Sequence, residues 1–222
     1  MRPTLLIATL LAASAVGAQA QTIAPPAAGV PLPPEVSLDP AKQPAGAYTL
    51  DGRHMSVLWR IRHMGLSLFT GRMDTVSGKL VLDPAHLANS TISVTLAAAS
   101  VSTNVLGAGG EHAFDKIIAT QALGSEAHPE ITFVSRTVKQ TGPRTGLVSG
   151  DVTLNGVTKP AVMDVTFDGG RLITMRNKHV LAITARTVIQ RADFAANLAD
   201  KVRDSTVGNE VEVILSGEFT KD

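Results

Sequence analysis

Apolar residues recur at every second position along much of the chain, and this alternation restricts its fold more than any other sequence feature. Successive side chains of a β-strand point to opposite sides, so the pattern is typical of strands that bury one face. Five segments show it most clearly: Val57, Trp59 and Ile61; Ile92, Val94 and Leu96; Val148, Val152 and Leu154; Ala161, Met163, Val165 and Phe167; and Val211, Val213 and Leu215. The sequence therefore predicts a domain built largely from one-sided strands.

Less regular strand-like runs at 68–82, 131–138 and 172–189 bring the expected number of strands to about eight. Asn155-Gly156 is the clearest hairpin signal, because both residues tolerate a positive φ. Other turns are expected at Asp83-Pro84, Thr141-Gly142-Pro143 and Asp168-Gly169-Gly170, and short helices at 111–122 and 192–202. Short connections between one-sided strands indicate an all-β fold, either an antiparallel sandwich or a closed barrel.

The first 20 residues have the layout of a secretory signal peptide. Arg2 precedes an apolar run from Leu5 to Val16, and the expected cleavage follows Ala20. An uncleaved anchor is the alternative, but the run is shorter than the roughly 20 residues that a spanning helix needs. Seven of the twelve prolines fall within 21–46, which predicts a Pro/Ala-rich linker. The sequence thus predicts export to the periplasm and a folded domain at 47–222.

The charge balance and the absence of cysteine exclude several classes of protein. Without residues 1–20, 19 basic and 19 acidic residues remain, so the chain has no electrostatic footprint for nucleic acid. A chain without cysteine has neither disulfides nor thiolate metal sites. No later segment has 18 consecutive apolar residues free of charge, so we expect no stable membrane insertion.

Motifs for covalent chemistry are also lacking. The glycine-rich stretch 107–110 is not followed by the Gly-Lys-Ser/Thr of a phosphate loop, and no Gly-x-Ser-x-Gly elbow occurs. None of the six histidines has a partner at the spacing of a chelating pair. We therefore expect no catalytic residue, no metal and no permanent cofactor, and predict that the protein is not an enzyme.

An eight-stranded barrel can fill its interior with its own side chains or enclose one small ligand. The inward residues expected here are mostly Val, Ile, Leu, Ala and Thr, and the chain contains one Trp, one Tyr and six Phe. Branched walls of medium size are compatible with both a lumen and a filled core. The alternation alone leaves these alternatives open.

Five blocks in order along the chain resemble the YceI-like polyisoprenoid-binding family. They are Tyr48 to Gly65 with Gly71-Arg72, Ser100 to Thr103, His128 to Phe133, Gly150 to Pro160, and Ile189 to Phe194 with Val207 to Val211. The resemblance implies a lipocalin-like, extended antiparallel β-barrel in the periplasm. It also implies an interior that takes up a long isoprenoid lipid or a related amphiphile such as a quinone, and homodimers in some members.

With this resemblance, the apolar tail of a ligand is expected along twelve residues: Val57, Trp59, Ile61, Ile92, Val94, Leu96, Phe133, Val152, Leu154, Met163, Val165 and Phe167. His54 and Arg191 are the candidate contacts for a polar head group, together with the region 111–116. Arg191 has a structural alternative as a partner of Asp193, and Trp59 has one as a core aromatic. The alternative function is a non-enzymatic stress-response or interaction module with a solid barrel.

Overall fold

The computed structural model describes residues 35–194 and 206–222, and this part of the chain is folded mainly into β-strands. The strands are β1 Gly46–His63, β2 Ser67–Met73, β3 Val76–Leu82, β4 Thr91–Ala97, β5 Val101–Ser102, β6 Glu130–Gln140, β7 Thr145–Leu154, β8 Val157–Ile173, β9 Lys178–Gln190 and β10 Val207–Lys221. Helix α1 spans Ala113–Ile117 and continues into a π-helical turn, Ile118–Ala122. Single 3₁₀ turns lie at Pro40–Lys42, Leu87–Asn89, Ala98–Ser100, Thr174–Arg176 and Arg191–Phe194.

The strands form one antiparallel sheet that closes on itself. Its order is β10-β9-β8-β7-β6-β4-β3-β1-β2-β5, and β10 also pairs with β1. Eight of the strands form the closed ring, whereas β2 pairs with the second half of β1 and carries the short β5. The prediction of an all-β, eight-stranded antiparallel barrel with a short helix is confirmed.

The two ends of the barrel differ in what covers them. We call "upper" the end with the β1–β2 and β7–β8 turns and the long connection that carries α1. The lower end holds the β3–β4, β6–β7 and β8–β9 connections and the segment before β1. Helix α1 is fixed at the upper end by the buried Asp115, which accepts hydrogen bonds from the Thr103 amide (2.9 Å) and the Thr103 hydroxyl.

One predicted turn is confirmed and another is wrong. Asn155 and Gly156 have φ values of 51° and 73° and form the β7–β8 hairpin turn. Asp168-Gly169-Gly170 is not a turn, since β8 continues through it to Ile173 with a register shift between Phe167 and Gly169. Gly169, with φ of 144°, supplies the backbone freedom for this β-bulge, and the actual turn is at 174–177.

The last part of the predicted linker packs against the lower end of the barrel. Ser37 and Gly170 exchange two backbone hydrogen bonds of 2.9 Å. The side chain of Gln43 is 3% exposed and lies where a Cβ on Gly170 would otherwise sit. Residues 35–45 are thus part of the folded unit rather than of an extended tether, while 1–34 lie outside the described residues.

Large side chains pack together in the lower half of the barrel. Tyr48, Leu181 and Phe219 are at most 1% exposed. The Tyr48 hydroxyl donates a 2.6 Å hydrogen bond to the carbonyl of Pro44, so the segment before β1 is tied to this core. The interior is therefore packed around these side chains, as in an ordinary globular core.

Pairing between β8 and β9 is incomplete toward the upper end. The ladder begins at Ile173–Lys178 near the lower end and ends at Asp164–Arg186. Beyond this point 157–163 pairs with β7 and 187–190 pairs with β10. The Thr187 hydroxyl crosses the gap and donates a 2.9 Å hydrogen bond to the carbonyl of Val162. We call this gap the seam; a surface groove of about 520 Å³ follows it.

The two predicted helices have different outcomes. The helix expected at 111–122 is present as α1 and the π-helical turn that follows it. Of the range 192–202, for which a helix was expected, 192–194 belong to the 3₁₀ turn Arg191–Phe194. The rest of this range lies outside the described residues. Within 35–194 and 206–222, no helix is both long enough and apolar enough to cross a membrane.

Candidate binding site in the barrel interior

Beside this packed cluster, the barrel contains an apolar lumen with two compartments. The upper one has a volume of about 560 Å³ and the lower one about 180 Å³. Six residues line both and form a waist between them: Val57, Leu96, Phe133, Met163, Thr187 and Val213. The upper volume lies within the range of small-molecule sites, roughly 300–1,000 Å³. The barrel is therefore not solid throughout.

All twelve residues predicted to contact an apolar tail line this lumen. Trp59, Ile61, Val152 and Leu154 line the upper compartment, Ile92, Val94, Val165 and Phe167 the lower one, and Val57, Leu96, Phe133 and Met163 both. The period-two pattern thus placed eleven of these side chains on the inward face, and the family resemblance added Phe133. Their contact with a ligand stays a prediction.

Sequence reasoning missed two further groups of lining residues. The first comes from β9 and β10 and comprises Leu181, Ile183, Ala185, Thr187, Ile189, Val211, Val213 and Leu215. The alternation at Val211, Val213 and Leu215 had already predicted a one-sided strand there, and β9 shows the same period. The second group lies in β2 and in connections at the upper end and includes Phe69, Val105, Phe114, Ile118, Leu123 and Phe194. Most of these lie outside regular strands, so no periodic signal marks them.

Three aromatic rings connect the barrel wall with helix α1. The ring centroids of Trp59 and Phe69 are 5.9 Å apart, and those of Phe69 and Phe114 are also 5.9 Å apart. Trp59 lies across Gly71, its partner on β2, at a distance that leaves no room for a Cβ on that residue. Glycine at 71 is therefore required for the indole to lie flat against the wall.

Arg191 and His63 bring polar groups to the wall of the upper compartment. Arg191 donates hydrogen bonds to the backbone carbonyls of Gly208 (2.9 Å, from Nε) and Val207 (3.0 Å, from Nη2). Burial lowers the pKa of the Arg191 guanidinium from its usual value. Among the described residues, no carboxylate lines either compartment. Cationic side chains thus line both compartments, with Arg191 in the upper one and Arg144 and Arg186 in the lower one.

His54, the other predicted head-group contact, lies elsewhere. It belongs to the irregular part of β1 between Leu50 and Met55, and it is not among the residues that line either compartment. Its Nδ1 is 3.0 Å from the Asp51 carboxylate. A hydrogen bond from the Arg53 amide, together with the His54 ring, holds the pKa of Asp51 well below its usual range. The structure therefore does not bring His54 and Arg191 together.

The remaining polar clusters have structural partners. His112 Nδ1 is 3.1 Å from the Asp115 carboxylate, which is already held by Thr103. The hydrogen bonds of the described residues include none between a histidine ring and a serine or threonine hydroxyl. In the same part of the chain, no three His, Asp or Glu side chains come together as a metal ion would require.

By its fold and its cavity, the protein belongs to the antiparallel β-barrels with an apolar lumen. Comparison with known proteins identifies its family. A family model described as the YceI-like domain matches residues 48–219. The chain belongs to the YceI-like family, as the five sequence blocks predicted.

Similar proteins support this assignment. A UPF0312 protein of Pseudomonas putida strain W619 is 41% identical over 129 residues, which cover 56% of this chain and 64% of the relative. A UPF0312 protein of Ectopseudomonas mendocina gives the same identity and the same coverage. The chain thus spans less than two thirds of the length of these relatives.

Solved structures share the fold at low sequence identity. BcnA of Burkholderia cenocepacia has a TM-score of 0.64 at 19% identity, covering 76% of this chain and 98% of BcnA. The Campylobacter jejuni YceI protein has a TM-score of 0.58 at 20% identity, covering 73% and 90%. A polyisoprenoid binding domain from Saccharophagus degradans has a TM-score of 0.56 at 14% identity, covering 81% and 100%.

Proposed function

We propose that the protein is an exported carrier that binds a long isoprenoid lipid, or a quinone with an isoprenoid tail, without changing it covalently. The observation that carries this proposal is the apolar lumen, whose two compartments meet at a shared waist. Along β10 its lining extends from Val207 to Leu215, about 26 Å of strand at roughly 3.3 Å per residue. A long, narrow apolar site suits a chain-like ligand better than a compact one.

The lumen binds through burial of apolar surface. At about 25 cal/mol per Å² removed from water, a tail that buries a few hundred Å² gains on the order of 10 kcal/mol before costs. Loss of translational freedom and ordering of the chain cancel part of this gain. The binding is therefore reversible, as a carrier requires.

We propose that the polar head group lies in the upper compartment near Arg191 and His63. The Arg191 guanidinium is a cationic hydrogen-bond donor in the wall of this compartment. This arrangement favours a neutral or anionic head group, such as a quinone ring, a hydroxyl or a phosphate. His54 takes no direct part in this proposal, because its side chain is paired with Asp51.

Two further points support the carrier function. One structural neighbour is described as a polyisoprenoid binding domain, and it shares the fold along its whole length. The expected signal peptide would deliver the chain to the periplasm, where a lipid that crosses an aqueous compartment needs a shielded site.

The proposal is tested by identifying what the protein contains. Protein purified from its own host is examined by native mass spectrometry, and its organic extract is analysed for isoprenoids. Emptied protein is then titrated with a polyprenol or a long-chain quinone while Trp59 fluorescence is recorded. We expect a bound isoprenoid and a saturable fluorescence change. An empty barrel together with an unchanged Trp59 signal would overturn the carrier function and favour an interaction module.

A matched pair of variants tests whether the lumen is the site. Ala185 is 6% exposed and lines the lower compartment, so Ala185→Phe fills part of it. Val134 is 53% exposed on β6, so Val134→Phe adds similar bulk outside. We expect Ala185→Phe to weaken binding of a long-chain quinone at least tenfold and to weaken binding of a short-chain quinone less. Val134→Phe is expected to leave the binding of both quinones unchanged. Equal effects of both variants would place the site outside the lumen.

A further inference from the structure

The upper end of the barrel exposes an unusual concentration of large apolar side chains. Six of them are between 39% and 79% exposed: Met64, Leu66, Leu68, Leu106, Phe114 and Ile117. They come from the β1–β2 hairpin, the connection before α1, and α1 itself. We call these six residues the apolar rim. Exposed apolar residues gathered at one end of a molecule mark an interaction surface.

The apolar rim lies next to the opening of the upper compartment. Phe114 belongs to the rim and also lines that compartment, where its ring contacts Phe69. The hairpin tip is held in place, because the Leu66 amide donates to the carbonyl of His63 (2.9 Å) and Arg62 donates to the carbonyl of Leu66 (3.2 Å). The hairpin part of the rim is thus held in place, and Phe114 joins the rim to the wall of the upper compartment.

Positive charge accompanies the apolar rim. Arg62 precedes the hairpin tip, and Lys116 lies on α1 between Phe114 and Ile117. Both side chains are exposed, and among the described residues neither forms an ion pair with a carboxylate. Apolar side chains flanked by exposed cations are the combination with which peripheral proteins bind anionic lipid surfaces.

We propose that the apolar rim docks the barrel, mouth first, on the surface of an anionic lipid bilayer. The inference rests on the proposed function in one respect: an isoprenoid cargo resides in a bilayer, so its entrance must approach one. The rim side chains enter the interface between head groups and acyl chains, while Arg62 and Lys116 contact lipid phosphates. The barrel stays at the surface, and the apolar tail passes between bilayer and lumen without crossing water.

The test is sedimentation with vesicles of phosphatidylethanolamine and phosphatidylglycerol that contain no isoprenoid, using the protein in the form its host produces. We expect the double variant Leu66→Glu, Ile117→Glu to lose at least tenfold in vesicle binding. Met175, 97% exposed in the β8–β9 turn at the lower end, provides the control, and Met175→Glu is expected to bind as the unchanged protein does. Equal losses in both variants, or no binding by the unchanged protein, would overturn the proposal.

Two further measurements separate this proposal from others. Lys116→Gln is expected to weaken binding to anionic vesicles and to leave the residual binding to phosphatidylcholine vesicles unchanged. The rim variants are expected to bind a water-soluble short-chain quinone normally, so loss of docking is distinguishable from loss of the cargo site. If Leu66→Glu instead dissociates a dimer in analytical ultracentrifugation and vesicle binding is absent, the rim is a subunit interface and the proposal is overturned.

Discussion

The contact between Trp59 and Gly71 shows how closely single residues shape the lumen. The indole occupies the place of the missing Cβ, and its ring continues through Phe69 to the helix at the upper end. One methyl group at position 71 would therefore push the indole into the upper compartment. The same tryptophan reports on the change through its fluorescence.

We predict that Gly71→Ala lowers the free energy of unfolding by about 1–3 kcal/mol, the usual cost of overpacking. Urea unfolding followed by circular dichroism measures this loss, and the Trp59 emission maximum measures the displacement. Gly52 on β1 serves as the control, since a Cβ there meets its nearest atom at 3.6 Å. Equal stability losses at both positions would show that strand propensity, rather than the indole contact, is responsible.

His179 is a second residue with a measurable consequence. Its Nδ1 is buried and has no hydrogen-bond partner among the described residues. Burial, and then the charge of Lys221, lowers the pKa of His179 below its usual value near 6.5. At acidic pH the folded protein then binds fewer protons than the unfolded chain. The stability that depends on neutral His179 is therefore fully present above about pH 6.5 and is lost as the pH falls below this value.

We therefore predict that His179→Gln loses less stability than the unchanged protein between pH 7.5 and pH 5.5. Urea midpoints at the two pH values provide the measurement. His128→Gln, at an exposed position, controls for the loss of one titratable group. If His179→Gln and the unchanged protein have the same pH dependence of stability, the loss of stability below pH 6.5 does not come from His179.

At the scale of elements, alternation predicted the strands and their faces because one face of each strand meets an apolar interior. It placed Val57, Val152 and Met163 on the inward face, which lines the lumen, without knowledge of the partner strands. It could not distinguish a bulge from a turn at Gly169, because a glycine with positive φ serves both. Nor could it place Phe114, whose contact with Phe69 joins residues far apart in the chain.

The packing of residues 35–45 was also beyond the sequence. A proline-rich composition predicts an extended chain, whereas Pro40 begins a 3₁₀ turn. What fixes the segment is the bonding of Ser37 to Gly170 and the burial of Gln43. These contacts depend on the closed barrel and leave no local signal.

The seam between β8 and β9 leads to a prediction at this scale. The segments 157–163 and 187–190 are each paired with a neighbouring strand on one side only, so part of their backbone amides have no partner in the sheet. We expect hydrogen exchange to be faster in these segments than in 180–186, which pairs on both sides. Exchange measured by NMR, or by mass spectrometry after proteolysis, tests this. Uniform protection along β9 would show that the seam is closed in solution.

At the scale of the whole molecule, a ligand that binds only the folded barrel must stabilise it. A free ligand concentration of 100 times Kd contributes about 2.7 kcal/mol. For a domain of this size, 1 kcal/mol corresponds to a Tm change of roughly 2–4 °C. We predict that a saturating long-chain quinone raises Tm by roughly 5–11 °C, measured by calorimetry, and that Ala185→Phe reduces this shift while Val134→Phe preserves it. A Tm independent of quinone concentration would contradict binding to the native state.

The seam also determines where the barrel can widen. A complete ring of backbone hydrogen bonds fixes the circumference of a barrel, and here that ring is interrupted between Val162 and Val188 but complete near Tyr48. The upper half can therefore widen at little cost in backbone hydrogen bonds, whereas the base cannot. A bound ligand would have its tail in the rigid lower half of the barrel and its head group in the upper half, where the wall can widen. For the proposed ligand we therefore expect discrimination by the thickness of the tail and tolerance of different head groups.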